Sequence, residues 1–275
     1  MRQVMVLAAF TAYSLSVGAF ELAREKRDVS LLGKFPSTVQ FRRELIPQNI
    51  YGKVGMPDLY DGCTAVKISE QKFLTAGHCQ PVFMKIYANE DLVLRSQFGE
   101  EKISSRHAKF VQHPKYLRFD KKSSTYETDT DFDLAIVHIR ERTPQIPVAR
   151  LAVGKIERGL SVFVGGYGTN TLSGSEGELD MDVRRIDSLT KHIFCFRSDV
   201  RGTFRSAINN GDSGGPVYVD IEGEVFVVGI NSFRHILEAQ PSAFVFLGER
   251  ARLDSCAVDF QSGEKLEWIK SFFAK

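Results

Sequence analysis

The sequence has little of what would make it a nucleic-acid-binding, membrane or repeat protein. Its formal net charge is only +2 over 275 residues. It has no long basic run and no visible stacking platform, so nothing favours binding to nucleic acid or to an anionic surface. No fixed-period repeat is present. Hydrophobic content of 43% and charged content of 25% are ordinary for a soluble globular protein and leave the function open.

Long apolar runs are also scarce, and the one at the N-terminus is short. Arg2 precedes an apolar stretch from Val4 to Leu15, and the small residues Val17, Gly18 and Ala19 follow it. The stretch is short for a membrane span, and no stop-transfer segment comes after it. We therefore predict a signal peptide over residues 1–19, with export to a secreted or periplasmic location. A short buried or interfacial helix is the alternative.

Residues 20–27 are charged, lack an apolar period and end in Lys26-Arg27. These features indicate a removable propeptide. The alternative is a solvated leader segment with no such role. Cysteine is rare as well, with four in the chain. If the protein is exported, these four are disulfide candidates with three possible pairings.

From Val29 onward, short apolar runs alternate with turn residues, and the clearest run extends from Leu134 to Ile139. Many short strands with few convincing helices favour an all-β barrel or sandwich. Residues 121–130 and 169–182 predict exposed loops, and residues 143–147 are the best candidate linker between two halves. The tail differs because Leu266, Ile269 and Phe273 recur at helical spacing. We expect a terminal helix there, docked on a barrel.

One stretch, Gly211-Asp212-Ser213-Gly214-Gly215-Pro216, has the composition of a nucleophile loop. Its glycines let the backbone bend around Ser213 and turn the amides of Gly211 and Ser213 toward one point, where they could stabilise an oxyanion. The stretch also satisfies Gly-x-Ser-x-Gly, the elbow of α/β-hydrolases. That fold needs an acid and then a histidine after the serine. Here Asp220 and His235 follow Ser213 too closely in the sequence to span a sheet. An ordinary Gly-rich turn is the remaining alternative.

A serine nucleophile needs a base, and the base needs a carboxylate that fixes its tautomer. The run from Phe73 to Cys79 places His78 at the end of an apolar strand. Asp129, Asp131 and Asp133 compete for the carboxylate role. Asp133 is the best placed of the three because it immediately precedes the strand that begins at Leu134.

These motifs resemble those of chymotrypsin-like (trypsin-fold) serine proteases. Residues 75–79 are similar to the family's Thr-Ala-Ala-His-Cys, with Gly77 replacing the second alanine, and residues 133–136 are similar to Asp-Ile-Ala-Leu. The order His78, Asp133, Ser213 is that of chymotrypsin. The resemblance implies an all-β fold of two packed six-stranded antiparallel β-barrels with a C-terminal α-helix. We expect a peptidase domain over residues 28–275, with the barrels over 28–145 and 146–275.

The resemblance also implies a role for each motif residue. His78, Asp133 and Ser213 would form the catalytic triad, and the amides of Gly211 and Ser213 would form the oxyanion hole. Substrate would be bound by residues around the specificity pocket, namely Ala207, Ser232, Phe233 and Arg234. His113 matches the family's His-Pro-x-Tyr loop and is expected to be structural.

The family places a disulfide beside its histidine, which here implies Cys63–Cys79. Cys195 and Cys256 remain, and they either pair or stay free as buried thiols. We see no metal-ligand spacing and expect no metal or organic cofactor. The expected partner is a protein or peptide substrate. We expect no nucleic acid, no membrane contact after signal removal, and a monomer.

The sequence departs from the family at positions that matter for activation and specificity. The family usually begins with Ile-Val-Gly-Gly, whose freed ammonium pairs with the aspartate before the serine, here Asp212; residues 28–33 match this poorly. Ala207 stands where trypsin-type members carry the aspartate that selects basic residues. Arg234 replaces a frequent glycine at the pocket mouth. We expect cleavage after an apolar or small residue.

The sequence therefore predicts a secreted serine endopeptidase, made as a zymogen, that works through an acyl-enzyme intermediate. A protease-shaped binding protein with little turnover is the alternative from another class. Esterase or thioesterase activity from the same triad is a further alternative.

Overall fold

The computed structural model describes most of the chain. The described residues are 33–43, 62–83, 91–120, 125–168, 178–198, 211–236, 253–261 and 263–273. The predicted signal peptide and propeptide lie outside them, as does Ala207. The backbone of Phe233 and Arg234 is described, but their side chains are not.

The described residues form mainly β-strands. The strands of the first half are β1 (Thr38–Arg43), β2 (Gly62–Ser69), β3 (Lys72–Thr75), β4 (Asp91–Ser96), β5 (Gly99–Ser104), β6 (Ala108–Gln112), β7 (Leu117–Asp120), β8 (Thr125–Thr128) and β9 (Ala135–Ile139). Those of the second half are β10 (Arg150–Leu151), β11 (Ser161–Gly166), β12 (Asp180–Leu189), β13 (Ile193–Ser198), β14 (Pro216–Ile221), β15 (Glu224–Ile236) and β16 (Leu253–Asp259). A helix, α1, follows at Glu264–Lys270.

The first sheet has the strand order β5-β4-β1-β2-β3-β9-β6 and curls into a half-barrel. Its inner strands form because they are nearly continuous runs of apolar residues. β2 is buried over all but its last residue, and β9 is buried at every position except His138. Such strands cannot remain in water, so they pair centrally, while the more polar β5 lies at the edge. β7 and β8 form a separate antiparallel hairpin.

The second sheet has the order β10-β15-β14-β11-β12-β13-β16, and β15 also pairs with β16. This last pairing closes β11 to β16 into a six-stranded barrel, which leaves none of those six strands as a free edge. The short β10 adds to its outside by pairing parallel with β15.

The two halves share a hydrophobic core. Phe35 is fully buried, and its ring lies 4.9 Å from that of Tyr218 in β14. The hydroxyl groups of Tyr218 and Thr38 are 2.9 Å apart and hydrogen-bonded. The same apolar cluster includes Leu266 and Ile269 of α1, so the helix packs on this core through its apolar face.

The connection between the sheets is held by a buried lysine. Lys67 of β2 is 1% exposed, and its ammonium donates to the carbonyls of Thr143 at 2.6 Å and Ile146 at 2.8 Å. These carbonyls lie in the segment between β9 and β10, where the sequence predicts the linker. Burial lowers the pKa of Lys67, against the charges of Glu70 and Glu101.

The predicted all-β class, with two packed β units and a terminal helix, is confirmed, although the first unit is more open than the expected barrel. The domain boundaries given above stay predictions. No helix within the described part of the chain is long and apolar enough to span a membrane.

Candidate active site

Asp133 is fixed by the turn that precedes it. Residues Thr130–Phe132 form a 3₁₀ turn, and the side chain of Asp129 accepts a hydrogen bond from the amide of Asp131 at its start. The chain then enters β9, whose apolar residues are buried. Asp133 is consequently drawn inside to 3% exposure, whereas Asp129 and Asp131 stay half-buried.

The carboxylate of Asp133 receives three hydrogen bonds. Its Oδ1 accepts from the backbone amide of His78 at 2.8 Å, and its Oδ2 lies 2.7 Å from His78 Nδ1. Ser232 Oγ also donates to Oδ2. A carboxylate can only accept, so the proton of this pair belongs on Nδ1, which leaves Nε2 of His78 free of a proton and able to accept one.

The environment of His78 affects its basicity in two opposing ways. Burial alone lowers the pKa of His78 because it penalises the imidazolium. The hydrogen bond to Asp133 and the charge of that carboxylate outweigh burial, so the pKa of His78 is raised above 6.5. The side chain of His78 remains 36% exposed, and its imidazole can therefore be reached from solvent.

A small residue before His78 allows this geometry. A Cβ atom at Gly77 would lie 2.9 Å from Cδ1 of Tyr116 and 3.1 Å from Oδ1 of Asp133. Tyr116 is buried to 7% exposure, and burial together with the charge of Asp133 raises its pKa to about 12. The family motif has an alanine where this chain has Gly77. Tyr116 packs closely on the backbone at this position, where an alanine side chain would crowd it.

The loop that contains Ser213 is attached to the first sheet through Thr64 of β2. The Thr64 hydroxyl donates to the carbonyl of Gly211 at 2.7 Å, and the Thr64 amide donates to the carbonyl of Ser213 at 2.9 Å. The same hydroxyl accepts from the amide of Tyr167 at 2.9 Å. One threonine therefore joins the serine loop, the first sheet and the end of β11.

Glycine is required at position 214. Its φ is +79°, a conformation that side chains rarely adopt, and a Cβ there would lie 2.0 Å from Thr75 Oγ1 and 2.9 Å from the amide nitrogen of Ala76. The backbone next to Ser213 therefore packs directly on the residues just before His78. The Ser213 carbonyl oxygen also lies 3.7 Å from Sγ of Cys79. Ser213 itself is half-exposed.

Asp212 is 6% exposed, and its Oδ1 accepts a hydrogen bond of 2.8 Å from the amide of Gly168. The sequence left open which group satisfies this carboxylate in a chain without an Ile-Val-Gly-Gly start. The Gly168 amide is one such group.

Two disulfides are present among the described residues. Cys63 and Cys79 are bonded across 16 residues, and Cys195 and Cys256 across 61. The first bond pins the turn that carries His78 to the start of β2. The second joins directly opposite residues of β13 and β16, so it ties the barrel wall to the strand that leads into α1.

Ser232 has a contact that its sequence context did not predict. Pairing between β15 and β16 is irregular between Asn231 and Phe233, which places Ser232 in a bulge. A bulge re-aims a side chain, and here the Ser232 hydroxyl donates a hydrogen bond to Asp133. Nothing local in the sequence marks this role, because it depends on which strands pair.

Among the described residues, no group of histidine, cysteine, aspartate and glutamate side chains could hold a metal ion. The groups that the structure brings together at the site can transfer a proton and form a covalent bond. A carboxylate holds an imidazole in one tautomer, and a half-exposed serine lies in a loop packed beside it.

Comparisons with known proteins concern the family and the fold. The protein-family model described as Trypsin matches residues 46–246. Among solved structures, the chain is similar to neuropsin, a serine protease expressed in the limbic system of mouse brain. The identity is 16% and the TM-score 0.54, over 87% of this chain and 95% of neuropsin, so this likeness concerns the fold. No curated protein sequence matches the chain.

The family match covers most of the chain, including all three motifs from which the resemblance was drawn. The fold supports the same assignment through its closed barrel, its curled half-barrel and its C-terminal helix. The chain belongs to the trypsin family of serine proteases.

Proposed function

We propose that this protein is an exported serine endopeptidase that hydrolyses peptide bonds through His78, Asp133 and Ser213. The observation that carries the proposal is the Asp133 carboxylate, which is buried and bound to both the backbone and Nδ1 of His78. The packing of the Ser213 loop against the strand that ends at His78 supports the same arrangement.

In the first half-reaction, Ser213 Oγ forms a bond to the scissile carbonyl carbon while Nε2 of His78 takes the hydroxyl proton. The resulting oxyanion is held by the amides of Gly211 and Ser213. Collapse breaks the carbon–nitrogen bond, the departing amine takes the proton from His78, and an acyl-enzyme remains. Asp133 stabilises the imidazolium throughout without itself becoming protonated.

In the second half-reaction, water replaces the amine. His78 takes a proton from the water as its oxygen bonds to the acyl carbon, and the bond to Ser213 Oγ then breaks. The proton returns to Ser213, and the carboxylic acid product leaves. No external oxidant, metal or organic cofactor is needed for this balance.

The proposed substrate is a protein or peptide cleaved after an apolar or small residue. Ala207 supports this preference because it provides no negative charge where trypsin-type members select lysine or arginine. Phe233 and Arg234, which belong to β15, are proposed to complete this pocket. Export through residues 1–19 fits the two disulfides, which persist in oxidising compartments. Release from a zymogen by removal of residues 20–27, and action as a monomer, belong to the same proposal.

Hydrolysis of a fluorescent protein substrate by the secreted protein tests the proposal. Ser213→Ala and His78→Ala should each reduce kcat by roughly 10⁴-fold or more, since the residues act as a unit. Ser161→Ala is a matched control because Ser161 is an exposed serine at the start of β11, and it should leave the rate unchanged. A folded wild-type protein that binds substrate without cleaving it would instead support the binding-protein alternative.

A further inference from the structure

The residue immediately before Asp133 is unusually enclosed. The Phe132 ring is stacked on the imidazole of His113, with centroids 4.9 Å apart, and lies 5.5 Å from that of His192. Two ammonium groups lie over the same ring, that of Lys115 at 5.1 Å and that of Lys265 at 5.4 Å. Phe132 is 8% exposed.

The four groups around Phe132 come from three separate parts of the chain. His113 and Lys115 follow β6, His192 precedes β13, and Lys265 lies on α1. The enclosure therefore joins the first sheet, the second barrel and the C-terminal helix around one side chain.

Each wall of the enclosure is itself fixed. His113 contacts Trp268 edge-to-face at 4.8 Å. The Lys115 ammonium forms an ion pair of 2.6 Å with Glu264. On α1, Lys265 is 1% exposed and donates to two carbonyls, those of His192 at 3.0 Å and Asp259 at 2.7 Å.

The backbone of Phe132 links the enclosed ring to Asp133, the next residue in the chain. Its amide donates to the carbonyl of Asp129 at 2.9 Å, and its carbonyl accepts from the amide of Leu134 at 2.7 Å. Asp133 is therefore confined between two residues whose backbone groups are bonded to each other. A shift of the Phe132 backbone moves Asp133 with it, because only one peptide unit separates the two residues, and the enclosed ring keeps that backbone in place.

We propose that Phe132 is a positioning residue for Asp133, held in place by the His113, Lys115, His192 and Lys265 side chains. This inference rests on the proposed function. Aromatic and cation contacts of this kind contribute beyond simple burial, so an aliphatic residue of similar size does not replace them. The C-terminal helix thereby takes part in aligning the triad, although it does not touch it.

The test is an NMR titration of the His78 imidazole in wild type and in Phe132→Leu, with kcat and KM for protein hydrolysis measured alongside. Asp133 raises the pKa of His78, so a displaced carboxylate lowers it. We expect a lower His78 pKa in Phe132→Leu, a kcat reduced roughly tenfold or more and little change in KM, as misplacement near the chemistry produces. Burial lowers the pKa of Lys265 only to about 8, so its charge persists through the acidic part of the titration.

Phe226→Leu is the matched control. Phe226 is also 8% exposed and has a cationic neighbour, with Arg150 6.0 Å from its ring centroid, but it lies in the wall of the second barrel. This control should leave the His78 pKa and kcat as in wild type, and Phe132→Tyr, which keeps the ring, should restore both. If Phe132→Leu does not fold, Phe132→Met fills a similar volume and serves the same test.

The outcomes separate the two proposals. A wild-type protein without hydrolytic activity whose His78 pKa still falls in Phe132→Leu would contradict the proposed function and leave the positioning role standing. An active wild type whose His78 pKa and kcat are unaltered in Phe132→Leu would overturn the positioning role alone.

Discussion

Asp133 is the residue on which the geometry of the candidate site depends. An unpaired carboxylate at 3% exposure would be costly, and three donors offset that cost. Two of the donors belong to His78 and one to Ser232. The hydrogen bonds that satisfy the buried charge therefore also orient the imidazole.

Removal of the Ser232 hydroxyl should weaken this arrangement. A hydrogen bond to a charged group contributes about 1.5–3 kcal/mol, so Ser232→Ala should lower kcat/KM by roughly tenfold to a hundredfold. Ser232→Thr keeps a hydroxyl and should retain more activity. Steady-state kinetics on the three proteins, with folding verified by circular dichroism, check this expectation.

Ser255→Ala is the control for this change. Ser255 is a fully buried serine of β16 whose hydroxyl has no hydrogen-bond partner within the described part of the protein. Its loss should not affect kcat/KM. Equal losses in Ser232→Ala and Ser255→Ala would mean that buried serines matter here only for packing.

Elements that depend on local signals were predictable from the sequence. β9 (Ala135–Ile139) lies within the apolar run from Leu134 to Ile139. The terminal helix contains Leu266 and Ile269 as expected, although it ends at Lys270, before Phe273. An apolar run or a helical period is sufficient for such elements because burial of one face decides them. The three motifs were equally visible because each is contiguous in the chain.

Elements that depend on distant partners were not predictable. Residues 121–130 were expected to form a loop, yet β8 occupies Thr125–Thr128 because it pairs with β7. The loop predicted over residues 169–182 ends in β12, whose mixed polar sequence is stabilised between β11 and β13. The enclosure of Phe132 and the bulge at Ser232 likewise depend on tertiary pairing. Local composition contains no information on such contacts.

The two disulfides should differ in their effects, because they join different elements. Replacement of Cys195 and Cys256 by alanine removes a disulfide between residues 61 positions apart. It should lower the free energy of unfolding by about 2–4 kcal/mol. It should affect kcat little, since the bond lies in the barrel wall. Replacement of Cys63 and Cys79 should reduce kcat as well, because Cys79 is adjacent to His78.

Denaturant unfolding under oxidising conditions measures the first effect, and kinetics at a temperature where each variant is folded measures the second. A kcat that falls equally in both double variants would contradict this division between stability and alignment.

For the whole molecule, the buried His113 makes stability depend on pH. His113 is 1% exposed, and burial lowers its pKa from 6.5 to about 4. Above pH 6.5 the imidazole is neutral in both folded and unfolded chains, so it has no effect. As the pH falls toward 4, His113 is protonated in the unfolded chain before it is protonated in the folded one. The free energy of unfolding therefore falls, by about 3 kcal/mol at pH 4.

His113→Asn should remove this contribution. The asparagine side chain can accept the bond that Lys115 N donates to His113 Nδ1, but it does not titrate in this range. The free energy of unfolding should therefore fall less between pH 6.5 and 4 in His113→Asn than in wild type. Identical unfolding curves for His113→Asn and wild type across this pH range would contradict the prediction.

The central claim, that Ser213 is activated by His78, is tested most directly by labelling the secreted protein with a fluorophosphonate probe across a pH series and mapping the adduct by mass spectrometry. Labelling requires the deprotonated imidazole, and Asp133 raises the pKa of His78 above 6.5. The account predicts a single adduct on Ser213, absent from Ser213→Ala, whose rate of formation rises with pH through an inflection above 6.5. A folded protein that resists the probe even after proteolytic trimming of residues 20–33, or that is labelled elsewhere, would contradict it.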